Sequence, residues 1–186
     1  MVANHKFIDI VHQCSLKGFP LEGVYRRIQD RELFLIAYGN LYANQGAMTK
    51  GADPTDTIDG MSVARIDEII SKLKQNNYNW TPVRRTYINK KSGGKRPLGI
   101  LSWSDKLLQE VIRMVLEAYY EPRFSDYSHG YRPNRGCHTA LQDIHYGWSG
   151  TKWFVEGDLK KCFDKISQPI LVNILANDIK DNRFLK

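Results

Sequence analysis

The first part of the chain carries apolar residues at the three- and four-residue steps of amphipathic helices. This spacing predicts helices over residues 5–17 and 21–44. In the second of these, the recurring residues are Leu33, Ile36, Ala37, Leu41 and Tyr42. Residues 46–60 break the pattern, because glycine, proline, threonine and aspartate dominate there. They are predicted to form a loop.

Four more helices are predicted further along. Ser62 is suited to cap the first of them, and its apolar stripe is Ile66, Ile69, Ile70 and Leu73. The second covers residues 104–120, with Ser104 as its cap and Pro122 at its end. Its stripe is Leu107, Leu108, Val111, Ile112, Val115 and Leu116. Residues 138–147 form the third. SQPILVNILANDI, with proline in its first turn, opens another near the end of the chain.

Strands are predicted only in the second half. The segments 83–90 and 96–101 flank KSGGK, a turn in which two adjacent glycines permit a tight reversal with positive φ. TKWFVEGDL, residues 151–159, is predicted to be a buried strand. The chain is therefore expected to be helix-rich α+β, with a short antiparallel hairpin.

Composition limits the partners. With 186 residues, 42% of them hydrophobic, the chain can bury a substantial core as one domain or two small ones. Its net charge of +7 suits a polyanion, with nucleic acid preferred over a membrane surface. No stretch approaches the roughly 20 apolar residues that span a bilayer. The start lacks a signal-peptide pattern and the three cysteines are far apart, so we expect a cytoplasmic protein.

Two basic segments are candidates for anion binding. Six cations lie within thirteen residues of the hairpin, with no acid among them. They are Arg84, Arg85, Lys90, Lys91, Lys95 and Arg96. Such a cluster repels itself unless an anion is expected, so it indicates a phosphate clamp or a nucleic-acid track; the alternative is a hairpin kept soluble by charge. The loop from Tyr131 to Arg135 could stack on bases or be an ordinary surface loop.

The acidic segment FVEGDLKKCFDKI leaves its chemistry open. Residues two apart share a face of a strand, so Glu156 and Asp158 would point the same way. Carboxylates at a strand end commonly hold Mg²⁺. The alternative is an acid that caps the following turn or pairs with Lys160 or Lys161. From the residues alone, Asp164 could belong to the same site or be unrelated to it.

Four ordered segments resemble the N-terminal part of group II intron-encoded reverse transcriptases, also called maturases. They are AYGNLYANQGAMTKGADPTDTIDGMS, VRRTYINKKSGGKRPLGI, DKLLQEVIRMVLEAYYEPRFSDYSHGYRPNRGCHTAL and WFVEGDLKKCFDKI. They are similar, in order, to the family's RNA-contacting extension, two fingers blocks and the palm block with the first catalytic aspartate. The resemblance implies the right-hand polymerase fold, with fingers and the first part of the palm.

The resemblance also implies roles for single residues. Asp158 matches the first catalytic aspartate, which with the main-chain carbonyl of Leu159 binds Mg²⁺ in a two-metal site. Phe163 matches the aromatic beneath the sugar of the incoming nucleotide, where it disfavours a 2′-hydroxyl. Lys90 and Arg96 match the basic pair that grips the triphosphate. Backbone amides near Lys161 and Cys162 would face the phosphates. RNA or template contacts are expected from Arg84, Arg85, Lys91, Lys95, Arg132 and Arg135.

The chain departs from the family pattern in three respects. Asn89 and Leu101 stand where the family usually has proline, which should alter strand geometry slightly. The second metal-binding motif, an aromatic–Ala–Asp–Asp turn, does not occur. We therefore expect a fragment that is inactive alone. Its expected parts are a helical extension (1–80), fingers with the basic hairpin and template loop (81–150) and the start of the palm (151–186).

Partners and alternatives follow from the same comparison. The resemblance implies group II intron RNA, an RNA template with a DNA primer, and dNTP as partners, with no membrane. An incomplete palm would expose apolar surface, which allows a homodimer. One alternative is a non-catalytic RNA-binding splicing cofactor module; another is the reverse transcriptase of a different bacterial retroelement.

Overall fold

The computed structural model describes residues 5–44, 46–91, 93–159 and 162–186. Its helices before the hairpin are α1 (Lys6–Leu16), α2 (Val24–Arg27), α3 (Arg31–Tyr42) and α4 (Val63–Lys74). The hairpin strands are β1 (Arg84–Asn89) and β2 (Lys95–Ile100). After them come α5 (Trp103–Tyr120), a 3₁₀ turn (Glu121–Arg123), α6 (Cys137–Gly147), α7 (Cys162–Lys165) and α8 (Gln168–Asp178). None of the described helices is long and apolar enough to cross a bilayer.

The helix predicted over residues 21–44 is divided in two. Gly23 precedes α2 with a left-handed φ of 61°, a conformation that glycine adopts at little cost. Asp30 then interrupts the helical path, because its side chain accepts a hydrogen bond of 2.9 Å from the backbone N–H of Glu32 and so caps α3. The predicted cap of α4 is confirmed: Ser62 accepts a bond from the N–H of Arg65.

One apolar core joins the helices. Helix α5 packs against both α1 and α3, and α4 packs against α3. The predicted stripe of α4 is buried throughout. Four of the six residues in the predicted α5 stripe are buried, whereas Ile112 and Leu116 are half-buried at its edge. Because each fully buried aliphatic side chain stabilises a fold by about 1.5–3 kcal/mol, this stripe fixes the position of α5 within the body.

The predicted cap of α5 is wrong. The helix begins one residue earlier, at Trp103, after Ser102. Instead of capping, Ser104 donates its backbone N–H and its hydroxyl to the two carboxylate oxygens of Asp56, each at 3.0 Å. Asp56 is itself buried and also pairs with Arg65 at 3.3 Å. A carboxylate from the preceding loop therefore satisfies the first turn of α5 and favours its positive dipole end.

The end of the chain returns to its beginning. The backbone N–H of Leu21 donates to the carbonyl of Asp178 at 2.8 Å, and that of Lys180 donates to the carbonyl of Leu21 at 2.7 Å. The side chain of Asp181 accepts from the N–H of Tyr25 at 2.8 Å. The core cluster contains residues of all three predicted parts of the chain, for example Val11, Leu107 and Ile179. The division into 1–80, 81–150 and 151–186 stays a prediction.

The hairpin agrees with its prediction to within one residue. Strands β1 and β2 pair antiparallel, with Arg84 opposite Ile100 and Asn89 opposite Lys95. The turn is closed by a hydrogen bond of 3.0 Å from the N–H of Lys90 to the carbonyl of Gly94. Gly93 and Gly94 both have φ of 82°, as a tight reversal requires. Ser92 lies outside the described residues. The helix-rich α+β class with a short hairpin is therefore confirmed.

The strand predicted over residues 151–159 is not formed. These residues have no regular secondary structure and are exposed, Trp153 to 89% and Val155 to 100%. A strand needs a neighbour for its backbone N–H and carbonyl groups. Within the part of the chain that the structure describes, no segment pairs with this one. The prediction of a buried strand here is therefore wrong, because the apolar residues Trp153, Phe154 and Val155 do not supply a partner strand.

Candidate nucleotide and nucleic-acid interface

One face of the hairpin brings together the two residues expected to hold a triphosphate. Arg96 lies opposite Ile88 in the strand register. Lys90 follows Ile88 by two residues, so the alternation of side chains places it on the same face. A shallow pocket is lined there by Ile88, Asn89, Lys90, Lys91, Arg96 and Leu98. A lysine and an arginine beside an apolar floor can bind a phosphate group by point charge and by paired N–H donors.

Two of the other hairpin cations lie on the opposite face, whereas Lys91 lines the same pocket as Lys90 and Arg96. Lys95 lies opposite Asn89 and Arg85 lies opposite Gly99, so strand alternation directs the Lys95 and Arg85 side chains away from the face of Ile88 and Arg96. Arg85 and Lys95 are exposed. The basic cluster that appears continuous in the sequence is thus two charged surfaces, back to back. The surface with Lys90 and Arg96 forms a shallow pocket. The surface with Arg85 and Lys95 is open to solvent.

Arg84 has a different environment from its neighbour. Its guanidinium donates two hydrogen bonds to the backbone carbonyl of Lys50, from Nε at 3.1 Å and from Nη2 at 2.9 Å. Lys106 of α5 donates to the next carbonyl, that of Thr49, at 3.2 Å. The Arg84 bonds tie the 46–60 loop to the base of the hairpin, and the Lys106 bond ties it to α5. Sequence analysis placed Arg84 among the RNA-contacting residues. That role stays a prediction, and the Arg84 side chain is already hydrogen-bonded to the carbonyl of Lys50.

A buried carboxylate fixes the segment that enters β1. Asp105, 1% exposed, accepts hydrogen bonds from the hydroxyl of Tyr78 at 2.6 Å and from the backbone N–H of Thr81 at 2.9 Å. Burial, together with the bond to Asp105, raises the pKa of Tyr78 well above its usual range. Sequence analysis missed this anchor. The one available signal was an aspartate in the first turn of α5, a position that an acid also favours simply by complementing the helix dipole.

Gly51 supplies the close approach that completes the base of the hairpin. A Cβ atom on Gly51 would lie 2.6 Å from the backbone nitrogen of Ser102 and 2.7 Å from the carbonyl carbon of Leu101. The 46–60 loop therefore passes directly over the end of β2, at the position where the family usually has proline. Only a residue without a side chain fits there. The sequence alone does not reveal that Gly51 packs against the backbone of Leu101 and Ser102.

Both arginines of the 131–135 loop already have partners within the protein, Arg132 in a buried position and Arg135 at the surface. Arg132, whose side chain is 6% exposed, pairs with the carboxylate of Glu121 at 2.9 Å. It also donates to the backbone carbonyls of Ser125 at 2.7 Å and Ser128 at 2.8 Å. Arg135 donates to the carboxylate of Asp126 at 3.0 Å and to its carbonyl. Both were expected to contact template, and that expectation remains a prediction for guanidinium groups that already have partners.

The residues expected at the catalytic centre are open to solvent. Asp158 is exposed, and Leu159 and Phe163 are 77% and 79% exposed. Among the described residues, Asp158 has no ion-pair partner within 4.0 Å. The alternative pairing with Lys160 or Lys161, and the phosphate-facing amide of Lys161, lie outside the described residues. Cys162 begins α7.

A complete Mg²⁺ site is not formed by the described residues around Asp158. Among all the described residues, the only cluster of at least three potential metal ligands is His5, Asp30 and Glu32. It lies far from Asp158 in the sequence. A single exposed carboxylate with a neighbouring main-chain carbonyl leaves most positions of an octahedral Mg²⁺ without protein ligands. Asp158 and Leu159 can therefore contribute to such a site but do not hold the ion by themselves.

The cluster of His5, Asp30 and Glu32 is better explained as a polar contact between the N-terminal ends of α1 and α3. Nδ1 of His5 accepts from the backbone N–H of Phe7 at 3.2 Å. In the neutral ring the proton then resides on Nε2, which lies 3.5 Å from Asp30 and 3.6 Å from Glu32. A metal at Nε2 would displace that proton while the other nitrogen is already occupied. The arrangement thus favours a proton, not a cation, between these groups.

Comparison with known proteins identifies the family. The family model described as reverse transcriptase (RNA-dependent DNA polymerase) matches residues 88–182, from the hairpin through α8. The group II intron-encoded protein LtrA of Lactococcus lactis subsp. cremoris is 50% identical over 162 residues, which cover 87% of this chain and 27% of LtrA. An uncharacterized 91 kDa protein in the cob intron of Schizosaccharomyces pombe is 53% identical over 157 residues, or 84% of this chain and 19% of that protein.

A third relative matches a shorter region. Nuclear intron maturase 1, mitochondrial, of Arabidopsis thaliana is 36% identical over 83 residues, which cover 45% of this chain and 12% of that protein. The chain spans no more than about a quarter of the length of these relatives. These matches confirm the resemblance to group II intron-encoded proteins, and the chain belongs to the reverse transcriptase (RNA-dependent DNA polymerase) family.

Proposed function

We propose that this chain supplies the nucleotide-binding hairpin and the first metal-binding carboxylate of an RNA-dependent DNA polymerase. The observation that carries the proposal is the pocket that Lys90, Lys91 and Arg96 line together, while Arg85 and Lys95 lie on the opposite face of the strands. This separation of the two sets of cations suits a hairpin that binds a nucleotide on one face and contacts a nucleic-acid strand with the other.

The residues have distinct parts in the proposed reaction. Lys90 and Arg96 neutralise the triphosphate of an incoming dNTP, which positions it and favours the charge that develops on its oxygens. Phe163 lies beneath the sugar and disfavours a 2′-hydroxyl by contact. Asp158 and the carbonyl of Leu159 contribute to a Mg²⁺ site. Because the described residues leave that site incomplete, we expect no DNA synthesis by the 186-residue chain on a primed RNA template.

The test is a titration of the chain with a dNTP, followed by NMR of the hairpin amides. Lys90→Ala and Arg96→Ala should each weaken binding roughly 10- to 150-fold, because a hydrogen bond to a charged group contributes about 1.5–3 kcal/mol. Lys95→Ala is the matched control, since it removes a cation from the opposite face of the same hairpin. Equal losses from all three variants would show that the pocket has no special part in binding and would overturn the proposal.

RNA binding without polymerisation is the second candidate function. It is favoured by the net charge of +7 and by the exposed face with Arg85 and Lys95, and one relative is named as an intron maturase. Group II intron RNA would be the partner. Affinity for RNA should then fall steeply with salt, because bound cations release counterions from the phosphates. In a polymerase that contains these residues, Asp158→Ala should abolish DNA synthesis and leave RNA binding unchanged.

Self-association is a further proposal. The 151–178 region exposes large apolar side chains, among them Trp153, Phe154, Val155, Ile170 and Ile174. Exposed apolar side chains in this number favour association in water. Sedimentation of the chain over a range of concentrations should show a homodimer. A monomer at every concentration would contradict this proposal without affecting the nucleotide-binding hairpin.

A further inference from the structure

Tyr131 has an unusual backbone conformation for its residue type. Its φ is +57°, in the left-handed region. Two other non-glycine residues in the described chain share a positive φ, and both are asparagines, Asn76 and Asn134. Asparagine accommodates this region because its short polar side chain bonds locally, whereas a bulky aromatic residue there is an outlier. A tyrosine at this position therefore makes the loop less stable than glycine or asparagine would.

Nothing within the described chain compensates for this cost. The side chain of Tyr131 is fully exposed, at 101% of its reference area. The aromatic pairs and the hydrogen bonds of the described residues do not include its ring or its hydroxyl. Strain that brings no internal contact is characteristic of residues that act on something outside the fold.

The loop that carries Tyr131 is firmly held. The next residue, Arg132, makes five bonds or more into the protein, to Glu121 and to the carbonyls of Ser125 and Ser128. Its guanidinium also lies 5.3 Å from the ring centre of Phe124. The left-handed turn at Tyr131 reverses the chain so that Arg132 can fold back into the loop, and it leaves the tyrosine ring projecting outward.

The other side of the loop is fixed in the same way. Arg135 bonds to Asp126 across the loop. His129 contacts the hydroxyl of Thr139 at 2.9 Å and the carboxylate of Asp143 at 3.1 Å, both on α6. An exposed aromatic on a rigid support loses little conformational entropy when it binds, which makes it an effective contact.

We propose that Tyr131 is a stacking platform for an unpaired base of single-stranded RNA. This inference rests on the proposed function of the chain as a nucleic-acid-binding polymerase segment, and it assigns one contact of that surface. Exposed aromatic faces bind bases of any sequence. The neighbouring guanidinium groups of Arg132 and Arg135 are paired with carboxylates, so the attraction at this loop comes from the ring and not from phosphate.

The experiment measures binding of the 186-residue chain to a fluorescein-labelled, unstructured RNA of about 12 nucleotides, within the range of single-strand site sizes. Tyr131→Gly should weaken binding about 5- to 150-fold, the equivalent of about 1–3 kcal/mol for one stacked base. The same variant should have a higher thermal midpoint, because glycine relieves the left-handed strain. Tyr131→Phe should retain the wild-type affinity. Tyr146→Ala, which removes another exposed tyrosine, is the control and should change nothing.

Two further readouts separate stacking from charge. The slope of log affinity against log salt should be the same for wild type and Tyr131→Gly, since no phosphate contact is lost. An abasic oligonucleotide of equal length should bind both proteins equally. Unchanged RNA affinity of Tyr131→Gly would overturn the proposal and would indicate a protein partner for the ring. A thermal midpoint of Tyr131→Gly below that of the wild type would also overturn it. Absence of RNA binding by the wild type would instead contradict the proposed function itself.

Discussion

The hydroxyl of Tyr78 donates a hydrogen bond of 2.6 Å to the carboxylate of Asp105, which joins the segment before the hairpin to the first turn of α5. The same carboxylate accepts from the backbone N–H of Thr81. Both bonds are made by a side chain that is 1% exposed. Loss of either donor would leave an oxygen of this buried carboxylate without a hydrogen bond, so the acid helps to fix the position of the hairpin.

We predict that Tyr78→Phe lowers the free energy of unfolding by about 1–3 kcal/mol, because it leaves one oxygen of a buried carboxylate without its donor. Asp105→Ala should cost at least as much, because it removes the acceptor of both bonds. The double variant should be less destabilised than the sum of the two, since both changes remove the same bond. Urea denaturation of the four proteins provides the measurement. Additive losses would mean that the two residues stabilise the fold independently, contrary to the structure.

Alkaline pH should weaken the fold through Tyr120. Burial and the nearby carboxylate of Asp178 raise the pKa of Tyr120 from 10.0 to about 12. Its folded-state pKa is thus above the unfolded value, so the stabilisation is fully present below pH 10 and is lost as pH rises toward 12. Tyr120→Phe should reduce the fall in unfolding free energy across this window. Parallel curves for wild type and variant would show that Tyr120 titrates alike in both states.

Gly51 should not tolerate a side chain. Gly51→Ala would place a methyl group against the backbone of Leu101 and Ser102, which lie within 2.7 Å of the Cβ position. Overpacking of this kind typically costs about 1–3 kcal/mol, and here the obstacle is backbone, which yields less than a side chain. Gly46→Ala is the matched control in the same loop, because nothing lies within 4 Å of its Cβ position. A thermal midpoint equal for both variants would contradict the close approach.

The local sequence pattern was sufficient to predict those elements whose structure depends only on their own residues. The apolar stripe of α4 and the two glycines of the hairpin turn were predicted correctly because 3.6-residue spacing and φ preferences are properties of short segments. The cap of α5 was not, since its acceptor is Asp56, 48 residues before Ser104. The strand at 151–159 failed for a related reason: its residues suit a sheet, but pairing depends on a second segment.

The candidate site shows the same division. Sequence analysis selected Lys90 and Arg96 as a pair, and strand alternation places them on one face. It treated Arg132 as one more cation, because the residue type does not reveal that Glu121 and two backbone carbonyls surround its guanidinium. Whether an arginine can bind a ligand depends on which groups of the fold already accept hydrogen bonds from its guanidinium. The adjacent residues in the sequence do not identify those groups.

Adjacent arginines at the base of the hairpin should respond differently to substitution. Arg84→Ala removes two bonds to the carbonyl of Lys50 and should lower the free energy of unfolding by about 1 kcal/mol, with the salt dependence of RNA binding unchanged. Arg85→Ala removes an exposed cation. It should leave stability within about 0.5 kcal/mol and reduce the slope of log affinity against log salt by about 0.7, the value for one phosphate contact on a single strand. Urea denaturation and RNA titrations at several salt concentrations separate the two effects. A reduced slope for Arg84→Ala with unchanged stability would mean that this guanidinium leaves Lys50 to bind RNA.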